Sequence, residues 1–265
     1  MRLFGIVNVT PDSFSDGGKL SSVSAAVDHA LRLEDEGADV LDIGGESTRP
    51  GAAPVGLDEE RARVLPVIEA LVGRTDAAMS IDTRKTAVAR DALAAGASIW
   101  NDVTALKDQG AIELAASSGC TIVLMHMLGE PSTMLDQPAY TDVVEDVLAA
   151  LQARIAACEA AGCDPQNLIA DPGIGFGKTL EHNLALFGSL ERFCDLDVPI
   201  MLGASRKRFI AALDREGPAD ERIGGSIAAA LRGLEAGVSW LRVHDVAATR
   251  QALAVASALR SSTDA

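Results

Sequence analysis

The chain has 265 residues, 48% of them hydrophobic and 23% charged, which suits one compact core and a single domain spanning 1–265. Its formal charge of −15 argues against nucleic acid and anionic membranes as partners. No apolar stretch approaches the roughly 20 residues of a membrane span, and Cys120, Cys158, Cys163 and Cys194 show neither a CxxC pair nor a metal-type spacing, as expected of reduced thiols in a cytoplasmic protein.

The opening MRLFGIVNVTPDS runs straight into structure rather than reading as a cleavable signal. From there one unit recurs: a short apolar run, a polar or glycine-rich break, then an amphipathic stretch. The apolar runs are LFGIV (3–7), DVLDI (39–43), AMSI (78–81), SIW (98–100), TIVLM (121–125), LIA (168–170), VPIML (198–202) and SWLRV (239–243). Helical patterning fills the seven intervals between them, as in 22–37 and 143–162, and an eighth helix is expected at about 246–259. Several helices end on glycine, in EGAD (36–39), AGAS (95–98), SGCT (118–121) and AGVS (236–239), the residue favoured just past a helix C-terminus. Eight strands alternating with eight helices predict an α/β fold, a (β/α)8 TIM barrel. A doubly wound open sheet is the competing architecture, although it usually has fewer strands.

Residues 171–179, DPGIGFGKT, follow an apolar run and precede an amphipathic one, the layout of a phosphate-binding loop. The motif G-x-x-x-x-G-K-[ST] would place its first glycine at 172. That position is Pro172, which has no N–H to offer a phosphate. The loop therefore serves another purpose, and Lys178 is expected at the helix start as a solvated or ion-paired charge.

Active sites of such barrels lie at the C-terminal ends of the strands. The residues following each strand are Asn8; Glu46, Thr48 and Arg49; Asp82; Asn101 and Asp102; His126; Asp171; Ser205 and Lys207; and Arg242 with His244. Every strand thus brings a polar or ionisable group to one rim, whereas the opposite turns carry mostly Gly, Ala and Ser. Asp82, Asn101 and Asp171 suit a planar ligand edge that donates several N–H bonds, as a guanidine or aminopyrimidinone does. Asn8, Arg49, Arg242 and His244 join the first strands to the last, and suit a phosphate with a hard cation. Each has an ordinary alternative. Asp82 and Asn101-Asp102 can be helix caps, Arg242 an ion-pair partner, and Ser205-Arg206-Lys207-Arg208 a basic helix start, although cations there oppose the helix dipole. His126, between two methionines, reads as packed or lining a substrate rather than as a metal ligand.

The segments GIVNVTPDSFSDGG (5–18), GGESTRPGA (44–52), SIDTRK (80–85), WNDV (100–103), MHM (125–127), DPGIGFGK (171–178), GASRKRFI (203–210) and RVHDV (242–246) resemble dihydropteroate synthases, in the family's order and over nearly the whole chain. The resemblance implies a (β/α)8 barrel. It also implies condensation of 6-hydroxymethyl-7,8-dihydropterin pyrophosphate with p-aminobenzoate to give dihydropteroate and pyrophosphate. It makes Asn8 the Mg2+ ligand, and Asp82, Asn101, Asp171 and Lys207 the pterin contacts, with Met125 and Gly203–Ser205 lining the pocket. Arg49, Arg242 and His244, with Thr48 beside them, become the pyrophosphate site. Phe176, Ser205, Pro50 and Lys207 become the p-aminobenzoate site, over which Phe14 and Asp16 would close. A homodimer through the last barrel helices is further implied. Ile174 departs from the family, which often carries Phe there, and none of the expected site residues is replaced. Displacement is expected to be dissociative, with the aryl amine capturing an electron-poor pterin methylene. The rival readings are a pterin-dependent methyltransferase, which would not need Arg49, Arg242, His244 and the first loop together, and a non-catalytic pterin-binding homologue.

Overall fold

The computed structural model describes residues 1–10, 19–48, 51–129, 134 and 138–261. The apolar runs form eight strands: β1 (Arg2–Asn8), β2 (Val40–Gly44), β3 (Ala78–Asp82), β4 (Ile99–Asp102), β5 (Thr121–Met125), β6 (Leu168–Asp171), β7 (Met201–Leu202) and β8 (Trp240–Val243). All pair in parallel, in the order β6-β5-β4-β3-β2-β1-β8-β7. A parallel bridge between Ala170 and Ile200 joins the two ends, with Ala170 N–H donating to the Pro199 carbonyl at 3.0 Å. The sheet is thereby a barrel, as the strand–helix alternation predicts. β7 is shorter than the run 198–202 implies, since Pro199 has no N–H for a ladder.

Ten α-helices pack around the barrel among the described residues, two more than expected: α1 (Lys19–Asp35), α2 (Leu57–Leu71), α3 (Thr86–Ala95), α4 (Ala111–Ser118), α5 (Val143–Ala160), α6 (Leu180–Gly188), α7 (Leu190–Cys194), α8 (Arg208–Leu213), α9 (Ile223–Ala236) and α10 (Val246–Ser261). The surplus comes from two breaks. Ser189, at φ −121 and ψ 20, separates α6 from α7. Between α8 and α9 lies Gly217-Pro218, where proline removes a helical donor. The four helix-ending glycines do what their positions predict: Gly37, Gly96, Gly119 and Gly237 all have positive φ, between 66° and 123°.

Two apolar bodies result from the two faces of the strands. The larger fills the space between barrel and helices, around Leu3, Val7, Leu41, Ile43, Ile81, Trp100, Leu124 and Leu202. The smaller is a ring inside the barrel with one side chain from each strand: Phe4, Val40, Ala78, Ile99, Val123, Ile169, Met201 and Trp240. Burying a large apolar side chain contributes about 1.5–3 kcal/mol, so this ring is a stable plug. Side chains alternate across a strand, so positions two residues on from the ring also face inward. Those are Ile6, Asp42, Ser80, Asn101, Met125, Asp171, Gly203 and Arg242. The apolar plug therefore carries a polar layer on its C-terminal side. Two further residues on come Asn8, Gly44, Asp82, Ser205 and His244, at the mouth.

Candidate active site

The polar layer is buried. Asp42 is fully inaccessible, and Asp82, Asn101, Asp171 and Ser205 are all at least nine-tenths buried. Uncompensated charges at such depth cost several kcal/mol each, so the layer must be internally paired. Arg242 does most of that pairing. Its Nε donates to Asp42 Oδ2 and its Nη2 to Asp82 Oδ2, both at 2.6 Å. Asp42 Oδ2 also accepts from Asn101 Nδ2 at 3.2 Å. Two carboxylates share one guanidinium. Burial holds the Asp82 carboxyl up at about 7, with Asp42 pushing the same way against the pull of Arg242. Arg242 itself is held above its ordinary range, because Asp42 and Asp82 outweigh its own burial.

On the far side of the mouth, Asp171 Oδ1 accepts from Gly173 N–H at 2.7 Å. Burial pushes Asp171 upward against the opposing charge of Lys207. The Lys207 amine is drawn down to about 8 by the same burial. It donates to the Ile174 carbonyl and lies 4.4 Å from the centroid of Phe176, a cation–π contact. Phe176 packs on Val103, Met125, Met127 and Met134, an apolar wall beside the polar layer. Gly203 is where these groups converge. A side-chain carbon there would sit 3.5 Å from Asp171 Oδ2, 3.8 Å from Arg242 Cβ and 3.9 Å from Lys207 Nζ.

Ser205 ties the last two loops together. Its Oγ accepts from His244 N–H at 3.2 Å and lies 3.1 Å from His244 Nδ1. With Oγ already accepting, its proton can go to Nδ1, which leaves Nε2 as the protonated ring nitrogen. Next to it, Arg206 has φ 59, uncommon for a residue with a side chain. Its guanidinium grips Asp245 through two bonds of 2.9 and 2.5 Å. Ser226 Oγ accepts from its N–H at 2.9 Å, and Arg222 Nη1 donates to its carbonyl at 3.0 Å.

Two glycines of DPGIGFGKT are required by the loop's own packing. Gly173 and Gly177 have φ of 69° and 62°. A Cβ on Gly173 would overlap the His126 carbonyl oxygen, and one on Gly177 the Leu128 carbonyl oxygen. The tight approach is between this loop and the loop after β5. Lys178 is not a solvated helix-start charge. It is 3% exposed, lies 3.0 Å from His126 Nδ1, and donates to the carbonyls of Phe176 and His126 at 3.0 and 3.3 Å. The helix start belongs to Thr179, whose side chain and His182 form a capping box. Lys178 therefore points back under the loop.

Of the predicted site residues, Asn8, Asp82, Asn101, Met125, Asp171, Phe176, Gly203, Ser205, Lys207, Arg242 and His244 stand at the C-terminal mouth or just beneath it. Thr48, half-buried after β2, and Asn8 are not hydrogen-bonded to that network among the described residues. Phe14, Asp16, Arg49 and Pro50 lie outside the described residues. Asp102 caps no helix: it accepts from Thr104 and Leu106 within its own turn, and α4 starts only at Ala111. Glu46 is engaged by Arg84 and Lys85, and Lys85 also binds the buried Glu60, a brace for the loop after β2. Sequence reasoning missed Asp42. Its signal was a carboxylate inside an otherwise apolar strand, VLDIG, on the inward side. A recess of about 690 Å³ lies at the other end of the barrel beneath Trp240 and Pro199. It lacks this convergence of buried titratable groups, which marks the C-terminal mouth as the site.

Residues 4–244 match the family model of pterin binding enzymes. A dihydropteroate synthase of Neisseria meningitidis serogroup B is 51% identical over 264 residues, 97% of this chain and 92% of that protein. The chain belongs to the dihydropteroate synthases. It is accordingly a transferase, and the eight-stranded barrel is the family's fold. A solved dihydropteroate synthase of Xanthomonas albilineans with 4-aminobenzoic acid superposes with a TM-score of 0.93 at 52% identity, covering 98% of this chain and 93% of that one. Another from the same organism, in complex with 7,8-dihydropteroate, gives 0.89 at 49% identity and the same coverage. The synthase fold is thus matched from end to end.

Proposed function

We propose that the chain joins 6-hydroxymethyl-7,8-dihydropterin pyrophosphate to p-aminobenzoate, releasing dihydropteroate and pyrophosphate. The observation that carries this is the buried layer of Asp82, Asn101 and Asp171 around Arg242 and Lys207. It offers converging acceptors to a flat donor edge and sits beside the apolar wall of Phe176 and the methionines. The 4-aminobenzoic acid and 7,8-dihydropteroate held by the Xanthomonas relatives support the same pair of substrate and product.

In this reading the pterin edge binds Asp82, Asn101, Asp171 and Lys207, with Met125 and Gly203–Ser205 lining its pocket. The aryl ring lies on Phe176 near Lys207, Ser205 and Pro50, with Phe14 and Asp16 closing over it. Breaking the methylene C–O bond places negative charge on the departing pyrophosphate and positive charge on the pterin. Arg49, Arg242, His244 and Thr48 stabilise the first. The carboxylates of Asp171 and Asp82 favour the second, so departure precedes capture by the weakly nucleophilic amine.

No cluster of three His, Cys, Asp or Glu able to hold a metal occurs among the described residues. The single amide oxygen of Asn8, on the inner face of β1 at the mouth, fits a Mg2+ that keeps its waters and substrate phosphate oxygens as other ligands. Held there, Mg2+ would neutralise charge on the leaving group.

A homodimer through the last helices is supported by Val255 and Leu259, 55% and 65% exposed on α10. Cytoplasmic residence is supported by the four free cysteines.

The test is pyrophosphate release by the purified chain. Release that requires the pterin substrate, p-aminobenzoate and Mg2+ together is expected. Pterin binding without any p-aminobenzoate-dependent release would reduce the chain to a binding protein.

A further inference from the structure

Asn101 can face its ligand in two ways. Its amide presents a carbonyl acceptor if Nδ2 points down, or an NH2 donor if Oδ1 points down. What lies beneath decides. Below Asn101 is Asp42, fully buried and bound to Arg242 at 2.6 Å, hence a charged acceptor. Asp42 is short of donors. Among the described residues its Oδ1 has no partner, nor has the buried Oγ of Ser80, its register neighbour on β3. Among the described residues, only Arg242 Nε and Asn101 Nδ2 reach the Asp42 carboxylate, both on Oδ2. Turning the amide over would remove one of those donors and set a carbonyl oxygen against the carboxylate. A buried charge left in that condition is among the costlier arrangements in a protein.

We propose that Asp42 is a specificity-determining positioning residue, which locks the Asn101 amide so that its carbonyl faces the ligand. The mouth then presents acceptors throughout: Asn101 Oδ1 between the carboxylates of Asp82 and Asp171. It selects a ring edge made of donors and rejects one carrying a carbonyl at the same place. Asp42 need not touch the ligand, since it acts through Asn101. This rests on the pterin reading of the site.

The probe pair is a pterin and its pteridine-2,4-dione counterpart, in which a carbonyl acceptor replaces the 2-amino donor. Binding of both is measured by calorimetry on the full chain. The wild-type chain prefers the pterin by about tenfold or more. In Asp42→Asn the layer beneath Asn101 can donate, the amide is free to turn, and the preference falls to about threefold or less. The decisive variant is Asp42→Asn with Asn101→Asp. Here residue 42 donates upward, and the carboxylate at 101 again turns an acceptor to the mouth. The preference returns toward the wild-type value.

If the wild-type chain binds neither probe, the pterin reading of the site fails. If the wild type discriminates and Asp42→Asn discriminates equally, the proposal is overturned. It is also overturned if the double variant stays as unselective as the single one, since a purely structural role for Asp42 predicts no rescue. Should Asp42→Asn not fold, neutron diffraction of the wild-type chain decides. Deuterium on the Asn101 nitrogen directed at Asp42 supports the proposal, and deuterium directed at the mouth overturns it.

Discussion

The amine of Lys178 and the Nδ1 of His126 lie 3.0 Å apart beneath the loop that follows β6. Burial and the nearby lysine hold His126 down at about 3, so its ring is neutral and Nδ1 accepts. Burial likewise holds Lys178 down at about 7, with Lys207 adding to the effect and Asp171 opposing it. A lysine thus fastens two catalytic-face loops together from inside.

That depression has a signed consequence for stability. Between about pH 7 and the ordinary lysine value of 10.5, the unfolded chain binds a proton that the folded chain does not, so stability attributable to Lys178 rises with pH across this window. It is lost as pH falls through about 7. In Lys178→Met the slope should vanish. The stability advantage of the wild type over the variant should grow by about 3 kcal/mol from pH 7 to pH 10 in chemical denaturation. A pH-independent difference would show that the amine does not titrate in the fold.

Asp82 titrates on the other side of the site, at about 7. As pH rises from about 6 to about 8 its carboxyl becomes a carboxylate and a better acceptor for a donor edge. Pterin affinity should therefore increase over that range, by up to about tenfold. Asp82→Asn should bind weakly and without this pH dependence. Calorimetric titration at each pH checks it, and an unchanged profile in the variant would remove Asp82 from the binding edge.

Gly173 and Gly119 share nearly the same positive φ, 69° and 66°, in different surroundings. A Cβ on Gly119 meets nothing within 4 Å, whereas one on Gly173 runs into the His126 carbonyl. Gly119→Ala should cost about 1 kcal/mol, the conformational term alone. Gly173→Ala should cost roughly 3 kcal/mol or more, because backbone must move, and should lower turnover as Asp171 and Phe176 shift. Equal costs in urea denaturation would refute the close approach.

Arg206 combines strain with a bidentate grip on Asp245. Arg206→Ala loses the grip and keeps the strain, while Arg206→Gly loses both. The glycine variant should be the more stable of the two by about 1 kcal/mol. Both should show reduced turnover, because Ser205 and Lys207 flank this residue. A glycine variant no more stable than the alanine one would mean that the left-handed conformation is not retained.

The barrel was legible because period-two strands and helix-stopping glycines are local signals, as Gly37, Gly96, Gly119 and Gly237 show. Asp82, Asn101 and Asp171 were legible as rim residues because each ends an apolar run. Asp42 was not, since nothing local shows that its side chain meets, across an intervening strand, an asparagine 59 positions away. Lys178 was misread for the same reason: its partners sit on the preceding loop, brought near only because Gly173 and Gly177 let two backbones touch. The two extra helices followed from ordinary breaks, Ser189 and Gly217-Pro218, inside stretches whose composition reads as continuous.

The ring of Phe4, Val40, Ala78, Ile99, Val123, Ile169, Met201 and Trp240 seals the barrel from below. Solvent, protons and substrate then share one doorway. A flat ligand entering by that doorway meets Asp82, Asp171 and Lys207 from the same side as solvent and displaces the water that faced them.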